Sequence, residues 1–300
     1  MSDGGARHVA LAILGAFAFA NTLLWGRASL RAGAGLPAML TVRFALTGLL
    51  MLGVLSVLGR PRLPARGERT TVFLLGVVAY GLEAVFFFLA LQRGTSAAVV
   101  LLFYTHVVIV TIGELLLGSL RPSRRIAAAV ILSLTGGAIV ALAGGDVALS
   151  PSGFVFVACS IGCYSGYVLC SARLVRETEP MTAAAWVAFG ASIGVAGWGV
   201  GRGGFGALPA VALVDIGALA VATAAAFALW FAVVGPLGSS RTAIIMMMEA
   251  PFGIVLTSLA FGDRVTTQVG IGGFLVLAGA LTAARIQRPE TEWLEAATTP

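Results

Sequence analysis

Long apolar runs recur along this sequence of 300 residues, and short polar loops separate them. A helix rises about 1.5 Å per residue, so each run is long enough to cross the roughly 30 Å hydrocarbon core of a bilayer. Charged residues make up only 11% of the chain, whereas they make up about 25% of a soluble domain. The sequence therefore predicts an all-α integral membrane protein in contact with lipid.

The apolar runs predict ten transmembrane helices. Their expected bounds are 8–25, 36–57, 70–91, 95–117, 126–142, 152–171, 181–200, 210–235, 239–261 and 268–286. We expect the first run to stay in the mature chain and not to be cleaved as a signal peptide. The reason is that the segment before it holds one basic residue, Arg7, and its apolar character continues to Trp25.

The distribution of arginine predicts the orientation. With the N-terminus inside, one face collects thirteen arginines, at positions 7, 60, 62, 66, 69, 121, 124, 125, 173, 176, 241, 285 and 288. The other face collects five, at positions 27, 31, 93, 202 and 264. By the positive-inside rule both termini are cytoplasmic. We expect the protein to lie in the inner membrane of a bacterial cell. The net charge of +6 arises from these loop arginines, so it does not indicate a nucleic-acid partner.

The two halves of the sequence repeat each other at an offset of 142 to 144 residues. The matching residues are Pro37 and Pro180, Phe87 and Phe231, Gly94 and Gly238, Ser96 and Ser240, Gly118 and Gly262, and Gly137 and Gly279. The repeat predicts one five-helix unit at 8–142, a second at 152–286 and a polar cytoplasmic tail at 287–300. Because five is odd, the second unit should be inverted, as in many secondary transporters.

Two motifs resemble a known family. The segment Gly94-Thr-Ser-Ala-Ala-Val-Val-Leu-Leu-Phe-Tyr104, and Glu249-Ala-Pro251 followed by Gly262, are similar to the EamA form of the drug/metabolite transporter superfamily. Arg43 also fits its first repeat, whereas Asp263 stands where the family usually has Glu. The resemblance implies a basket of ten helices around a central cavity lined by the first, third, fourth, sixth, eighth and ninth spans. Ten-span exporters of amino acids and related metabolites are the most similar branch.

Ionisable residues at membrane depth point to a functional site, because hydrocarbon does not solvate charges. Arg43 and Glu83 lie seven and eight residues from the outer ends of their predicted spans, so we expect them to interact, directly or through one water. Their role is either to fix the packing of the helices, or to face the transported solute or take part in proton coupling. Glu249 precedes Pro251, where we expect a kink with a free carbonyl.

Aromatic and polar side chains complete the predicted binding site. His106 lies near mid-membrane, and the tyrosines lie inside spans and not at their ends, which favours a polar, aromatic cavity over an interfacial belt. Predicted substrate-binding residues are Asn21, Tyr80, Glu83, Phe87, His106, Tyr164, Tyr167, Trp186, Trp230 and Glu249. Structural or coupling roles are predicted for Arg43, Glu83 and Pro251.

The sequence favours a secondary transporter that exports neutral or aromatic amino acids and related small metabolites, and it leaves proton coupling open. Efflux of drugs or other metabolites is the alternative within transport. An intramembrane enzyme is the alternative outside it, because Gly190-Ala-Ser-Ile-Gly194 matches GxSxG and His106 could act as a base. Neither a metal nor a cofactor is predicted, since the three cysteines share one span without a CxxC motif.

The predicted topology can be tested with single cysteines in a cysteine-free background. A cysteine at Ser150 should react with a membrane-impermeant maleimide from outside, and one at Ser123 should react only after the membrane is opened. Labelling of position 123 from outside would contradict the topology.

Overall fold

The computed structural model describes residues 3–118, 122–142, 149–237, 242, 245–263 and 265–284, and this part is helical without a β-strand. Its main helices are α1 (Asp3–Arg31), α2 (Leu36–Val57), α3 (Arg69–Leu91), α4 (Ser96–Leu116), α5 (Arg124–Leu142), α6 (Pro151–Leu174), α7 (Pro180–Gly201), α8 (Ala210–Leu237), α9 (Glu249–Phe261) and α10 (Thr267–Ala284). Seven of them, α1–α4 and α6–α8, are long and apolar enough to cross a membrane, and α9 and α10 are shorter apolar helices. The all-α membrane class is confirmed, and the count of ten spans stays a prediction.

Some predicted bounds differ from the structure or lie outside it. The first span was expected to end at residue 25, but α1 continues to Arg31. The two arginines in its last turns can remain helical because Arg27 pairs with Asp263 and Arg31 stacks on Phe261. Residues 239–241, 243 and 244 of the ninth predicted span, the last residues of the tenth, and the tail 287–300 lie outside the described residues.

The helices of one half pack mainly on helices of the other half. The main contacts join α1 to α8 and α9, α2 to α7 and α8, α3 to α6 and α7, α4 to α6, α9 and α10, and α5 to α10. By the repeat, α1 to α5 correspond in order to α6 to α10. When each helix is exchanged for its counterpart, the α1–α8 contact becomes the α6–α3 contact, and the α2–α8 contact becomes the α7–α3 contact. The α2–α7 and α5–α10 contacts map onto themselves. The two halves therefore interleave with an internal two-fold pattern.

Hydrogen bonds between loops define two ends of the helix bundle. At the end where Arg27 lies, which we call the Arg27 end, the amide of Gly35 donates to the carbonyl of Ala207 over 2.7 Å. The amide of Ser150 donates to the carbonyl of Arg93 over 3.0 Å, which places the start of α6 at the same end. Helix α1 finishes at the Arg27 end, and α6 begins there.

At the opposite end, the α2–α3 loop is tied to the α6–α7 loop. The Glu68 carboxylate accepts hydrogen bonds from the amides of Arg176, Glu177 and Thr178 and from the Thr178 hydroxyl, over 2.6–2.9 Å. Desolvation acts to raise the pKa of Glu68, but these bonds outweigh it and lower the pKa to about 2. Glu68 therefore stays ionised, and it holds the two loops together at any physiological pH.

Helices α3 and α7 approach each other closely because glycines line their contact. A Cβ atom added at Gly190 would overlap the carbonyl oxygen of Phe73, and one at Gly194 would overlap that of Val77. The GxSxG sequence is thus a small-xxx-small packing motif of membrane helices. Its Ser192 hydroxyl donates to the carbonyl of Thr41 over 2.9 Å, which ties α7 to α2.

The packing role of Gly190 can be tested against Gly197, which lies on the same helix and has no atom within 4 Å of an added Cβ. We expect Gly190→Ala to destabilise the protein by about 1–3 kcal/mol, the usual effect of overpacking. Gly197→Ala should leave the melting temperature of the detergent-solubilised protein unchanged or raise it, because Ala favours helix over Gly. Equal melting temperatures for the two variants would contradict this account of the helix contact.

Candidate functional site

A cavity of about 470 Å³ lies between the two halves of the protein, a volume within the range of about 300–1,000 Å³ that is usual for small-molecule sites. Side chains of α1, α2, α3, α4, α6, α8 and α9 line it, together with two methionines that precede α9. The family resemblance implied six of these helices, and α2 is an addition, through Arg43 and Phe44.

Helix α4 is interrupted where it passes the cavity. Residues Tyr104 and Thr105 form a turn between two helical segments. The Thr105 amide and hydroxyl both bond to the carbonyl of Leu102, over 3.0 and 2.7 Å. A hydroxyl that bonds to nearby backbone competes with the regular helical ladder. This local competition positions the side chains of Tyr104 and His106 on the cavity wall.

Helix α9 begins at the same level, after a turn at Met247–Met248. Shifted by the repeat offset of 144, the turn at Tyr104–Thr105 falls on Met248 and Glu249, so the two interruptions coincide to within one residue. Pro251 therefore lies in the first turn of α9. Amides of the first turn have no acceptor within the helix, so the missing amide hydrogen of proline costs no helical hydrogen bond there. It does not kink a continuous helix as the sequence analysis expected. Paired broken helices are typical of transporter binding sites.

Helix α3 also departs from regular geometry beside the cavity. Its segment Leu75–Tyr80 is a π-helix, and α-helical geometry resumes at Gly81. π segments often occur at functional sites, because the extra residue per turn redirects the side chains that follow. Here the cavity residues Tyr80, Glu83 and Phe87 come at its end and directly after it.

Arg43 and Glu83 both line the cavity and are buried, each with 8% of its surface exposed. They do not form an ion pair within 4 Å, so of the two predicted forms of their interaction the direct one is not made, and the one through a water stays a prediction. Glu83 instead accepts a hydrogen bond from the Ser160 hydroxyl over 3.3 Å. Arg43 Nη2 donates to Thr223 over 3.5 Å, and its buried Nε has no partner among the described residues.

The second carboxylate of the cavity belongs to Glu249. Its Oε2 accepts a hydrogen bond from the Tyr104 hydroxyl over 3.4 Å, which joins the two helix interruptions. His106 Nδ1 lies 2.8 Å from the carbonyl of Phe103. Because a carbonyl only accepts, Nδ1 carries the proton in this contact, and Nε2 of a neutral ring is left as an acceptor.

An aromatic cluster forms the wall between these polar groups. The His106 ring lies 4.8 Å from Phe103 and 4.7 Å from Tyr164, measured between centroids. Tyr167 lies 6.0 Å from Tyr164 and 5.3 Å from Tyr80. Such spacings are those of favourable aromatic pairs. The cluster gives the cavity an apolar wall with hydroxyl and imidazole groups at its edge.

The structure brings most of the predicted site residues together on this cavity. They are Arg43, Tyr80, Glu83, Phe87, His106, Tyr164, Tyr167, Trp230 and Glu249. Asn21 and Trp186 are not among its lining residues. The Asn21 amide donates to the carbonyl of Phe17 in its own helix over 2.8 Å, and the Trp186 indole donates to the carbonyl of Arg62 over 2.8 Å. Trp186 is therefore anchored at the end of the bundle opposite Arg27, where its polar edge has a loop partner.

Sequence reasoning did not assign Tyr104, Ser160, Thr223, Phe103 or Phe227 to the site. A signal existed for Ser160, which precedes Tyr164 by four residues and so shares its helix face. A weaker signal existed for Tyr104, because its neighbour Thr105 is the repeat partner of Glu249. The position of Thr223 opposite Arg43 depends on the packing of α8 against α2, which the sequence alone does not give.

A polar cluster lies one helical turn beyond the cavity at the Arg27 end. Arg27 forms an ion pair with Asp263, which follows α9, and its Nη1 donates to the Ser96 hydroxyl at the start of α4 over 2.5 Å. Arg31 covers the ring of Phe261, with 4.4 Å from its Cζ to the centroid. This Arg27–Asp263 cluster joins α1, α4 and α9 across that end of the cavity.

This chain is similar to known proteins in sequence and in fold. The model of the EamA-like transporter family matches it twice, over residues 7–142 and 151–285. A solved structure described as "Crystal structure of protein" superimposes with a TM-score of 0.65 at 18% sequence identity, over 93% of this chain and 96% of that one. This likeness concerns the fold alone. The comparison with curated proteins finds no match.

The two family matches cover nearly all of the sequence and follow its internal repeat, so the expected membership of the drug/metabolite transporter superfamily is confirmed. The chain belongs to the EamA-like transporter family, and it is a membrane transporter and not an enzyme.

Proposed function

We propose that this protein is a secondary transporter that exports amino acids with neutral or aromatic side chains, and related small metabolites, across the bacterial inner membrane. The observation that carries the proposal is one cavity between the two halves that combines charges of both signs with an aromatic wall. Arg43 and Glu83 are buried and Glu249 is half-buried. Removing such charges from water is costly unless a ligand, water or another charge compensates them. A zwitterion with an apolar side chain matches both parts of this lining.

We further infer that the two halves are inverted repeats that open the cavity alternately to each side. Three features support this inference. Helix α1 ends at the Arg27 end whereas its counterpart α6 begins there. The contacts between halves follow a two-fold pattern, and the helix interruptions in α4 and before α9 are related by the repeat offset. With the orientation given by the arginine count, the Arg27 end faces outward.

One observation favours a second candidate, the efflux of lipophilic cations. The described neighbour of the Glu249 carboxylate is the neutral Tyr104 hydroxyl, and no described cation lies within 4 Å of it. An unpaired carboxylate beside aromatic rings suits an organic cation or a coupling proton as well as an ammonium group. Arg43 in the same cavity argues against a purely cationic substrate. Labelled cations belong in the same transport assay as the amino acids.

The proposed site can be tested with purified protein in liposomes and a panel of labelled amino acids, with and without a pH gradient. We expect Glu249→Gln to reduce uptake of the best substrate about tenfold or more, because it removes the charged acceptor of the Tyr104 hydroxyl that joins the two helix interruptions, and a hydrogen bond to a charged group contributes about 1.5–3 kcal/mol. Tyr164→Ala should also reduce uptake, since it removes the centre of the aromatic cluster. Glu177→Gln, a change in an exposed loop outside the cavity, is the control and should transport normally. Normal transport by both cavity variants would contradict the proposal.

The Arg27–Asp263 cluster should keep the cavity closed to the outside. A cysteine at Thr22, on the cavity wall, should react slowly with an impermeant maleimide added from outside. Asp263→Asn should raise this rate about fivefold or more, since 1 kcal/mol shifts a conformational population about fivefold. Asp215→Asn, which removes an acidic residue near the start of α8 at the same end, should not raise it. An equal rate in the Asp263→Asn protein and its parent would show that the cluster does not close the cavity.

A further inference from the structure

Arg43 is held in place but has few hydrogen-bond acceptors. Its guanidinium makes cation–π contacts with two aromatic rings, with Cζ 4.9 Å from the centroid of Phe44 and 5.7 Å from that of Phe88. The group carries five N–H donors. Its one described hydrogen bond is the long contact of 3.5 Å to Thr223, and that hydroxyl donates its own hydrogen to the carbonyl of Leu219 over 2.7 Å.

This arrangement differs from that of a structural arginine. A buried guanidinium that fixes helix packing normally has its donors satisfied by carboxylates or carbonyls. Here two aromatic rings contact the group, while several of its donors lack a protein acceptor in the described part of the chain. A planar guanidinium with free donors is suited to binding a carboxylate, which can accept two parallel hydrogen bonds.

Glu83 is the charge that compensates Arg43, but it does so from beyond contact distance. Both residues line the cavity, and they interact electrostatically without a direct ion pair. The Ser160 hydroxyl donates to one Glu83 oxygen, and Glu83 has no other described hydrogen bond. Opposite charges that share a cavity without touching leave room between them for a group that satisfies both.

We propose that Arg43 and Glu83 form the head-group site of the cavity, in which Arg43 binds the carboxylate of a zwitterionic solute and Glu83 binds its ammonium group. The inference rests on the proposed function and narrows it: the substrate carries both an anionic and a cationic group on neighbouring atoms. The aromatic cluster around Tyr80, Tyr164 and Tyr167 then receives the side chain. Glu249 has Tyr104 as its described hydrogen-bond partner and makes no described contact with Arg43 or Glu83, so it is not part of the head-group site.

The test measures binding to the full-length protein in detergent by calorimetry, with three ligands that share one phenyl ring. L-Phenylalanine has both charges, L-phenylalaninamide lacks the carboxylate, and 3-phenylpropionate lacks the amine. At about pH 6 the amines are protonated, since an α-amino group ordinarily has a pKa of about 8. Wild-type protein should bind phenylalanine about 10- to 100-fold more tightly than either analogue, the range expected for one charged hydrogen-bonded contact.

The variants assign each charge of the ligand to its residue. In Arg43→Gln the affinity for phenylalanine should fall to that for phenylalaninamide, because the carboxylate has lost its partner. In Glu83→Gln the affinity for phenylalanine should fall to the affinity for 3-phenylpropionate, because the ammonium group has lost its partner. Arg202→Gln removes an exposed arginine at the Arg27 end, outside the cavity and the Arg27–Asp263 cluster, and should bind all three ligands as wild type does. Arg43→Lys, which keeps the charge, should retain part of the preference for phenylalanine over its amide.

Two outcomes overturn the inference while leaving the proposed function standing. One is wild-type protein that binds phenylalanine and phenylalaninamide equally well, a result that does not depend on the folding of any variant. The other is an Arg43→Gln protein that still prefers phenylalanine to phenylalaninamide by the same factor as wild type does, because Arg43 would then not be the partner of the carboxylate. If wild-type protein binds none of the three ligands, the proposed transport of aromatic amino acids is contradicted, and the inference falls with it.

Discussion

Hydrocarbon cannot solvate a charge, and this constraint determines what the centre of the protein contains. Arg43, Glu83 and Glu249 lie on membrane-spanning or apolar helices, so a position facing lipid would leave each of them without compensation. The fold places all three on one internal cavity. There they have hydroxyl partners, Thr223, Ser160 and Tyr104, at 3.3–3.5 Å. These long contacts compensate the charges only in part, and in the function we propose a solute that carries its own charges completes the compensation.

The backbone meets a related constraint where the helices are interrupted. A free amide or carbonyl in lipid costs several kcal/mol, so irregular backbone at membrane depth is tolerated only inside protein or beside a cavity. The turns at Tyr104–Thr105 and Met247–Met248 and the π segment of α3 all adjoin the cavity. Close packing elsewhere, as between α3 and α7 at Gly190, supplies the rigid contacts against which such interrupted helices can rearrange.

Much of this arrangement follows from the sequence, for physical reasons. Helix length and polarity determine the membrane class, and the cost of intramembrane charge predicts that Glu83, His106 and Glu249 face a protein interior. Depth along a helix does not give direction around it, so equal depth predicted that Arg43 and Glu83 interact, directly or through one water, without telling which, and the structure has no direct ion pair between them. Trp186 was assigned to the cavity as an aromatic residue within a span, but its indole has a loop carbonyl as partner. The Tyr104–Glu249 contact depends on the two helix interruptions. It could not be predicted because a hydrophobicity pattern does not reveal such interruptions.

The central claim is that the cavity carries a small zwitterion across the membrane by opening to one side at a time. Counterflow tests this claim most directly: liposomes that contain the protein are loaded with unlabelled phenylalanine and diluted into a trace of labelled phenylalanine. An alternating-access carrier exchanges the two, so the label should accumulate transiently above its equilibrium level and then decline. A label that only approaches its equilibrium level, without an overshoot, would indicate an open pathway or no recognition of this solute, and would contradict the account.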